Sequence, residues 1–371
     1  MCATLPEPAY GVALMSLGCI PAKRLRTLLE RSSPSEVWAG VLGGRWDRRW
    51  TEMAGRVDVA AVWDAHVSAG VHVMVHGHPG YPAALAVDPA APAVLFAVGR
   101  PDVVDRFPTV AVVGTRSATR YGIGLAAQLG ADLAAVGVSV VSGLSAGIDG
   151  AALEGAVAGW AAAAQDGAPP VAVVAGGLDD PKPKENFRLW HRVAEAGSVL
   201  SEWPVGTAEL RWRLMQRNRI MAGVADVMVV VESHNDGGSA TAVRAAIRRG
   251  ISVGAVPGSV RSPASAGTND LLADGCFVVR DAADVITALG LARADEVQVR
   301  RRRSRRRAGP AATPPDDGPA AAVLAAIEWE PCSVEQVLSR TGLPLDVVSA
   351  ALEQLRAGGL VHCDAGWWER A

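Results

Sequence analysis

The sequence predicts an α/β protein with a parallel sheet core, preceded by a small helical domain and followed by a winged-helix domain. Three observations carry this reading. Apolar residues recur at helical spacing up to about Val67. From Gly70 onward, short β-branched runs alternate with helix-like segments, the pattern of a parallel sheet buried on both faces. From Ala320 the order is helix, helix, helix, hairpin.

In the first segment, Val12, Leu14 and Met15, then Leu25, Leu28 and Leu29, then Val37, Trp38 and Val41 mark helices broken by Pro21, Pro34 and Gly43-Gly44. This sets a helical domain over residues 1–67. Leu17-Gly18-Cys19-Ile20-Pro21 has the shape of a helix-hairpin-helix turn, a DNA-backbone unit, while a packing or oligomerisation module fits the same residues. The sheet domain, 68–290, takes strands at Val71–Val75, Val110–Val113, Val138–Val141, Val171–Ala175, Val199–Ser201, Val227–Val231 and Val253–Val256. A linker over 291–319 follows, with arginines at 300–303 and 305–307 and then a Pro/Ala/Asp stretch; it reads as a solvated tether that adds at most diffuse attraction to phosphate. The winged-helix segment, 320–371, carries three arginines against seven acids. An acidic recognition helix repels phosphate, so this domain reads as a protein-contact or dimerisation module.

Length and composition bound the function. The 371 residues suit two or three domains. No apolar run approaches the ~18–20 residues of a membrane span, and no positive region precedes an apolar stretch at the start, so the expectation is a cytoplasmic protein without an export signal. The five cysteines form no C-x-x-C pair, which argues against a zinc site or a disulfide framework. A net charge of −2 conceals local cationic clusters.

The chemistry-bearing residues follow the strands. One run ends in Gly114-Thr115-Arg116 and another in Ser142-Gly143, each leading into a helix, the arrangement by which a parallel sheet builds an anion site. Neither GxGxxG nor GxxxxGK[ST] is present, so a phosphate backbone is the favoured ligand and no cofactor or metal is implied. Asp149 stands in the first turn of the second helix, where an acid is more often a dipole partner than a general base. Lys182 and Lys184 each follow a proline on a loop beside Gly176-Gly177, with Asn186 just beyond, and suit phosphate contact without base readout. Arg211-Trp212-Arg213 leads to Arg217-Asn218-Arg219, a cationic cluster with an aromatic face, the pairing used on single-stranded nucleic acid. Gly238 and Ser239 form a low turn after another strand. A nucleotide-binding or nucleotide-hydrolysing enzyme on the same sheet is the alternative; Glu202, Glu232 and Asp149 would be its acids, although no paired-carboxylate spacing stands out.

Val113-Gly114-Thr115-Arg116, Tyr121-Gly122, Ser142-Gly143-Leu144 with Gly147-Ile148-Asp149, Pro183-Lys184-Glu185-Asn186, Ser201-Glu202 with Pro204, and Arg217-Asn218-Arg219-Ile220-Met221-Ala222-Gly223 together resemble the DprA (Smf) family of DNA-processing proteins. The resemblance runs from about Gly80-Tyr81-Pro82 and Ala93–Gly99 to Gly267-Thr268-Asn269. It implies an extended Rossmann-like core that binds single-stranded DNA, forms a homodimer and loads RecA in natural transformation or recombination, without catalysis. The family's pocket arginine would be Arg116, its loop lysine Lys184, and its Arg-Asn-Arg residues 217–219. The chain departs from the family pattern at Ala146, where an arginine is usual, at Leu153 for a histidine, at Lys182 for a tyrosine, at Leu214-Met215 for Phe-Pro and at Ala175 for a glycine. Those changes bear on base stacking and leave the phosphate contacts in place.

Overall fold

The computed structural model describes residues 5–163, 167–235, 237–290, 317–327, 332–358, 360–364 and 367–370, which form two compact units divided near Ala294. The basic run at 300–307 and nearly all of the expected linker lie outside the described residues.

The first unit opens with helices Glu7–Ser16, Ala22–Leu29, Pro34–Leu42, Arg48–Ala54 and Val59–Ser68. Prolines precede the first two, and the starts of the other three are set by side chains that answer the exposed N–H groups of a first turn. Ser33 forms a reciprocal box with Glu36, and Asp47 and Asp58 accept from the backbone two or three residues on. These helices are not a separate domain, as the 1–67 boundary had it. Val12, Leu14, Leu25 and Val37 share one core with Val94, Phe96, Leu189 and Val199 of the sheet region. The helical segment cannot bury its apolar stripes alone and uses the sheet as its other half.

The sheet has nine strands: β1 His72–Val75, β2 Val94–Gly99, β3 Thr109–Val113, β4 Ser139–Ser142, β5 Val171–Val174, β6 Ser198–Ser201, β7 Val227–Val230, β8 Ser252–Ala255 and β9 Phe277–Val278. Their order is β1-β2-β6-β5-β4-β3-β7-β8-β9. All seven expected strands are present, and β3 through β7 are completely buried, which is why their central residues read as apolar without alternation. The expected parallel core is present, with an antiparallel edge added to it. β2 pairs antiparallel with both β1 and β6, with Phe96 opposite Val73 and Ser201, and the parallel part runs from β6 to β9. Between β1 and β2 only the four-residue helix Ala83–Ala86 intervenes, so no long crossover helix returns the chain in the same direction.

Helices Arg120–Ala135, Ile148–Ala162, Phe187–Ala196, Arg211–Val224 and Ser239–Ile247 make most of the crossovers, with a further helix over 282–290. Arg120–Ala135 and Ile148–Ala162 pack backbone to backbone. A Cβ at Gly130 would strike the Ala152 carbonyl, one at Gly155 the Ala127 carbonyl, and one at Gly159 the Ala131 carbonyl. Among the described residues no helix is long and apolar enough to cross a membrane.

The second unit comprises helices Gly318–Ala326, Val334–Thr341 and Leu345–Ala357 and the short strands β10 Cys332–Ser333, β11 Val361–Asp364 and β12 Trp367–Arg370, ordered β10-β12-β11. Val323, Ile327, Val337, Val348, Leu352, Leu355 and Trp368 fill its core. Ser333 caps the second helix through a reciprocal box with Gln336, and Gly342 closes that helix in the left-handed conformation. This is the winged helix that the order of segments predicts.

Candidate functional site

Chain direction locates the site. From β3 the chain moves outward through β4, β5 and β6, then returns to place β7 on the opposite side of β3. Outside the carboxyl ends of β3 and β7 the two connections part, and α/β sheets bind ligands at such a switch point. A crevice of about 550 Å³ opens there, lined by Gly114, Thr115 and Arg116 after β3, by Asn235, Gly237, Gly238 and Ser239 after β7, and by the facing sides of helices Arg211–Val224 and Ser239–Ile247.

The turn after β3 is held tightly. Thr115 N–H donates to the Glu232 carbonyl at 2.8 Å, and the Thr115 hydroxyl meets His234 Nδ1 at 3.2 Å and accepts from Ser117 N–H. The turn after β4 locks against it. Gly147 has φ +81°, and a Cβ there would collide with the Thr115 and Arg116 carbonyls, so glycine alone permits this approach. Ile148 N–H donates to the Thr115 carbonyl at 3.2 Å. Leu144, buried, sits at φ +57°, a costly conformation for a residue with a branched side chain; its carbonyl is held by Asn186 Nδ2 at 2.9 Å.

Beneath the crevice lies a buried ion pair, Asp149 with Arg217 at 3.2 Å. Arg217 Nη1 donates to the Gly143 and Val173 carbonyls, and Nη2 to Ser145 Oγ and Asp149. The missing side chain of Gly143 makes room for this guanidinium. Burial pushes the Asp149 carboxyl above its ordinary range, opposed first by the Arg217 charge and then by a hydrogen bond from Gly114 N–H. Burial likewise draws Arg217 down, opposed by Asp149. Salt-bridge geometry and four spent donors keep the pair charged, so the crevice floor is electrically neutral, while Arg217 Nε stays buried without a partner among the described residues.

The rim differs. Arg116, Arg211 and Arg244 are exposed, and among the described residues no hydrogen bond or ion pair engages their side chains. Of the described lining residues only Asp149 is acidic, and it is committed to Arg217. The crevice therefore presents three unanswered guanidinium groups above a neutral floor, a site for an anion with several separated charges.

The N-terminus of helix Arg120–Ala135, which follows Arg116, is already occupied. The buried Glu232 carboxylate accepts from Thr119 N–H at 2.8 Å and from the Thr119 hydroxyl at 2.6 Å, and a Cβ on Gly122 would overlap that carboxylate. In dinucleotide enzymes the corresponding first helix end receives the pyrophosphate.

The thirteen residues expected at the site divide. Gly114, Thr115, Arg116, Arg217, Asn218, Gly238 and Ser239 line the crevice. Arg217 enters its wall as a buried strut, a correction to its expected role as a phosphate contact: its helix turns residue 217 onto the same face as the buried Ile220, Met221 and Val224. Asn218 Nδ2 binds Thr241 Oγ1, and Ser239 pairs with Ser233. Ser142 is also corrected, since it is fully buried and donates to the Val112 carbonyl at 2.6 Å. Gly143 serves Arg217, and Asn186 fastens Leu144. Arg219 spends its donors on Glu202 and the Ala90 carbonyl, and Lys182 pairs with Asp180 at 3.1 Å. Lys184 stands exposed on the loop after β5, outside the crevice lining. Arg244 was missed; its signal was the spacing Thr241, Arg244, Arg248, one polar face of the helix opened by Gly238. Asp149 is structural, as expected, though by pairing with Arg217 and not by capping.

Fold and site define a Rossmann-like α/β protein with a cationic crevice at its topological switch point, joined to a winged helix. The family model "DNA recombination-mediator protein A" matches residues 72–290, and the "DprA winged helix domain" model matches 307–366. The chain belongs to the DprA/Smf family of DNA-processing proteins. It is 43% identical over 201 residues to the DprA protein of Mycobacterium tuberculosis (strain ATCC 25618 / H37Rv), covering 54% of this chain and 50% of that one. With the DNA processing protein DprA of Bacillus subtilis (strain 168) it shares 33% over 198 residues, 53% of this chain and 64% of that one. The chain thus spans about half the length of the first relative and under two thirds of the second. The X-ray structure of DprA from Streptococcus pneumoniae superposes with a TM-score of 0.63 at 28% identity, over 77% of this chain and 98% of that one. A structure of DNA processing protein A from Helicobacter pylori, described for its single-stranded DNA binding mode, shares the fold with a TM-score of 0.52 at 24% identity, over 59% of this chain and 95% of that one.

Proposed function

We propose that the crevice binds the sugar-phosphate backbone of single-stranded DNA without reading its sequence, and that the protein, as a homodimer, delivers the strand to RecA. The observation that carries the binding reading is the trio Arg116, Arg211 and Arg244, exposed and unanswered around a crevice whose floor is neutral. Separated cations on an open rim suit a chain of phosphates, while Met215 beside them offers an apolar face to a base. Lys184 extends the cationic edge toward β5. Family membership supports the recombination role, and the Helicobacter protein that shares the fold is described for its single-stranded DNA binding mode.

The role is one of binding. Of the three acids a nucleotide enzyme would draw on, Asp149 is tied to Arg217 and Gly114, Glu202 is tied to Arg219, and Glu232 fills the helix end that would take a nucleotide phosphate. Arg116→Ala and Arg211→Ala each weaken binding of an oligonucleotide by the same factor whatever its sequence, and each flattens the dependence of log K on log salt by about 0.7 for a single strand. Unchanged affinity and slope in both variants would remove the crevice from DNA binding.

A further inference from the structure

The cationic surface continues past Arg244. A second groove of about 270 Å³ adjoins the crevice, with Met215, Thr241 and Arg244 forming a wall common to both. Gln216 lines it from helix Arg211–Val224, and Arg248 from the end of helix Ser239–Ile247. Arg219 also borders it, but Glu202 answers that charge. Arg244 and Arg248 are exposed, no ion pair or hydrogen bond among the described residues engages their side chains, and no acid lines the groove. They stand four residues apart on one helix face, about 5–6 Å between Cβ atoms.

A ligand touching both cavities must cross the ridge of Met215 and Thr241. It must carry negative charge on either side of that ridge and tolerate an apolar surface between, for Met215 is 56% exposed. A compact nucleotide or a single phosphate fits one cavity and gains nothing from the other. A strand of nucleotides meets every condition, with phosphates toward Arg244 and Arg248 and a base over Met215.

We propose that the second groove holds the same single strand as the crevice, so that the bound DNA leaves the switch point over Thr241 and runs along Arg244 and Arg248. This rests on the single-stranded DNA reading of the crevice and adds a path and a direction of exit to it.

The test is a length series of oligothymidylates measured against the full chain. For the parent, affinity rises with length until the second groove is filled. Arg248→Glu abolishes that gain and lowers the salt slope of the long oligonucleotide by about 0.7, while the shortest strands that bind keep parental affinity. Arg248→Gln reproduces the effect in weaker form, and unchanged thermal melting of both variants shows that folding is intact. If Arg248→Glu leaves every length unaffected, or weakens all lengths equally, the extension is wrong. Arg116→Ala in the same series separates the two readings. It weakens every length if the crevice binds DNA, so a loss there combined with no effect of Arg248→Glu overturns only the extension and leaves the second groove to an acidic partner other than DNA.

Discussion

Replacing Arg217 by alanine separates a buried strut from a DNA contact. The substitution leaves Asp149 buried without its counter-charge and strips partners from the Gly143 and Val173 carbonyls and from Ser145 Oγ. Removing one member of a buried pair costs about 3–5 kcal/mol, because the remaining charge is desolvated with nothing to offset it. At roughly 2–4 °C per kcal/mol for a domain of this order of size, the melting temperature falls by about 10 °C. The double variant Asp149→Asn/Arg217→Met removes both charges and recovers the part of that loss that comes from the unpaired carboxylate, since an uncharged pair of similar volume leaves no uncompensated charge. Thermal unfolding followed by circular dichroism gives the stabilities, and the salt dependence of oligonucleotide affinity gives the number of phosphate contacts. The double variant keeps the parental salt slope, because neither charge reaches the strand. If Arg217→Ala melts with the parent while its DNA binding falls and its salt slope flattens, as for Arg116→Ala, then the guanidinium touches phosphate and the strut assignment is wrong.

Two further outcomes follow from buried groups. His66 accepts from Val205 N–H at Nε2 and shares Nδ1 with the Val62 carbonyl, and burial lowers its pKa below the usual 6.5. The unfolded chain therefore takes up the proton first as acidity increases, so this contribution to stability is fully present above about pH 6.5 and declines below it. Denaturant midpoints measured from pH 8 to 5 show that decline, and His66→Gln reduces it; an identical slope in the variant would exclude His66 as its source. Glu232→Ala leaves Thr119 N–H and its hydroxyl without an acceptor and costs about 1–3 kcal/mol in chemical denaturation. A variant as stable as the parent would show that the carboxylate does not secure the helix end.

The strands β3 to β7 were legible because both faces of each are covered, and a strand without a wet side has an apolar centre instead of an alternation, with only small hydroxyl residues at the ends of β3, β4 and β6. Neither the presence of β2 among the expected strands nor its direction was. Val94-Leu95-Phe96-Ala97-Val98 is apolar whichever way it runs, and its orientation depends on β6, about a hundred residues further along. The boundary after Val67 failed for a related reason, since helical spacing shows that a stripe must be buried but not what buries it. At the site, Arg116 could be placed because it stands in the short turn between β3 and the next helix. The arginines of residues 211–219 look equivalent as a string, yet Arg217 falls at the same spacing as Ile220, Met221 and Val224, which marks it as inward-facing once that stripe is recognised. Its partner, Asp149, arrives from another crossover, and no local pattern joins the two.

The contact between helices Arg120–Ala135 and Ile148–Ala162 acts as a gauge for the crevice. Gly130, Gly155 and Gly159 set how closely two backbones stand, and those backbones begin at the two turns that meet through Thr115 and Ile148. A single methyl group at any of the three would wedge the helices apart and displace one turn against the other without altering any residue a ligand could reach. The spacing of the binding edge is thus calibrated from behind, by positions that carry no charge, donate no side-chain hydrogen bond and would escape any search for functional groups.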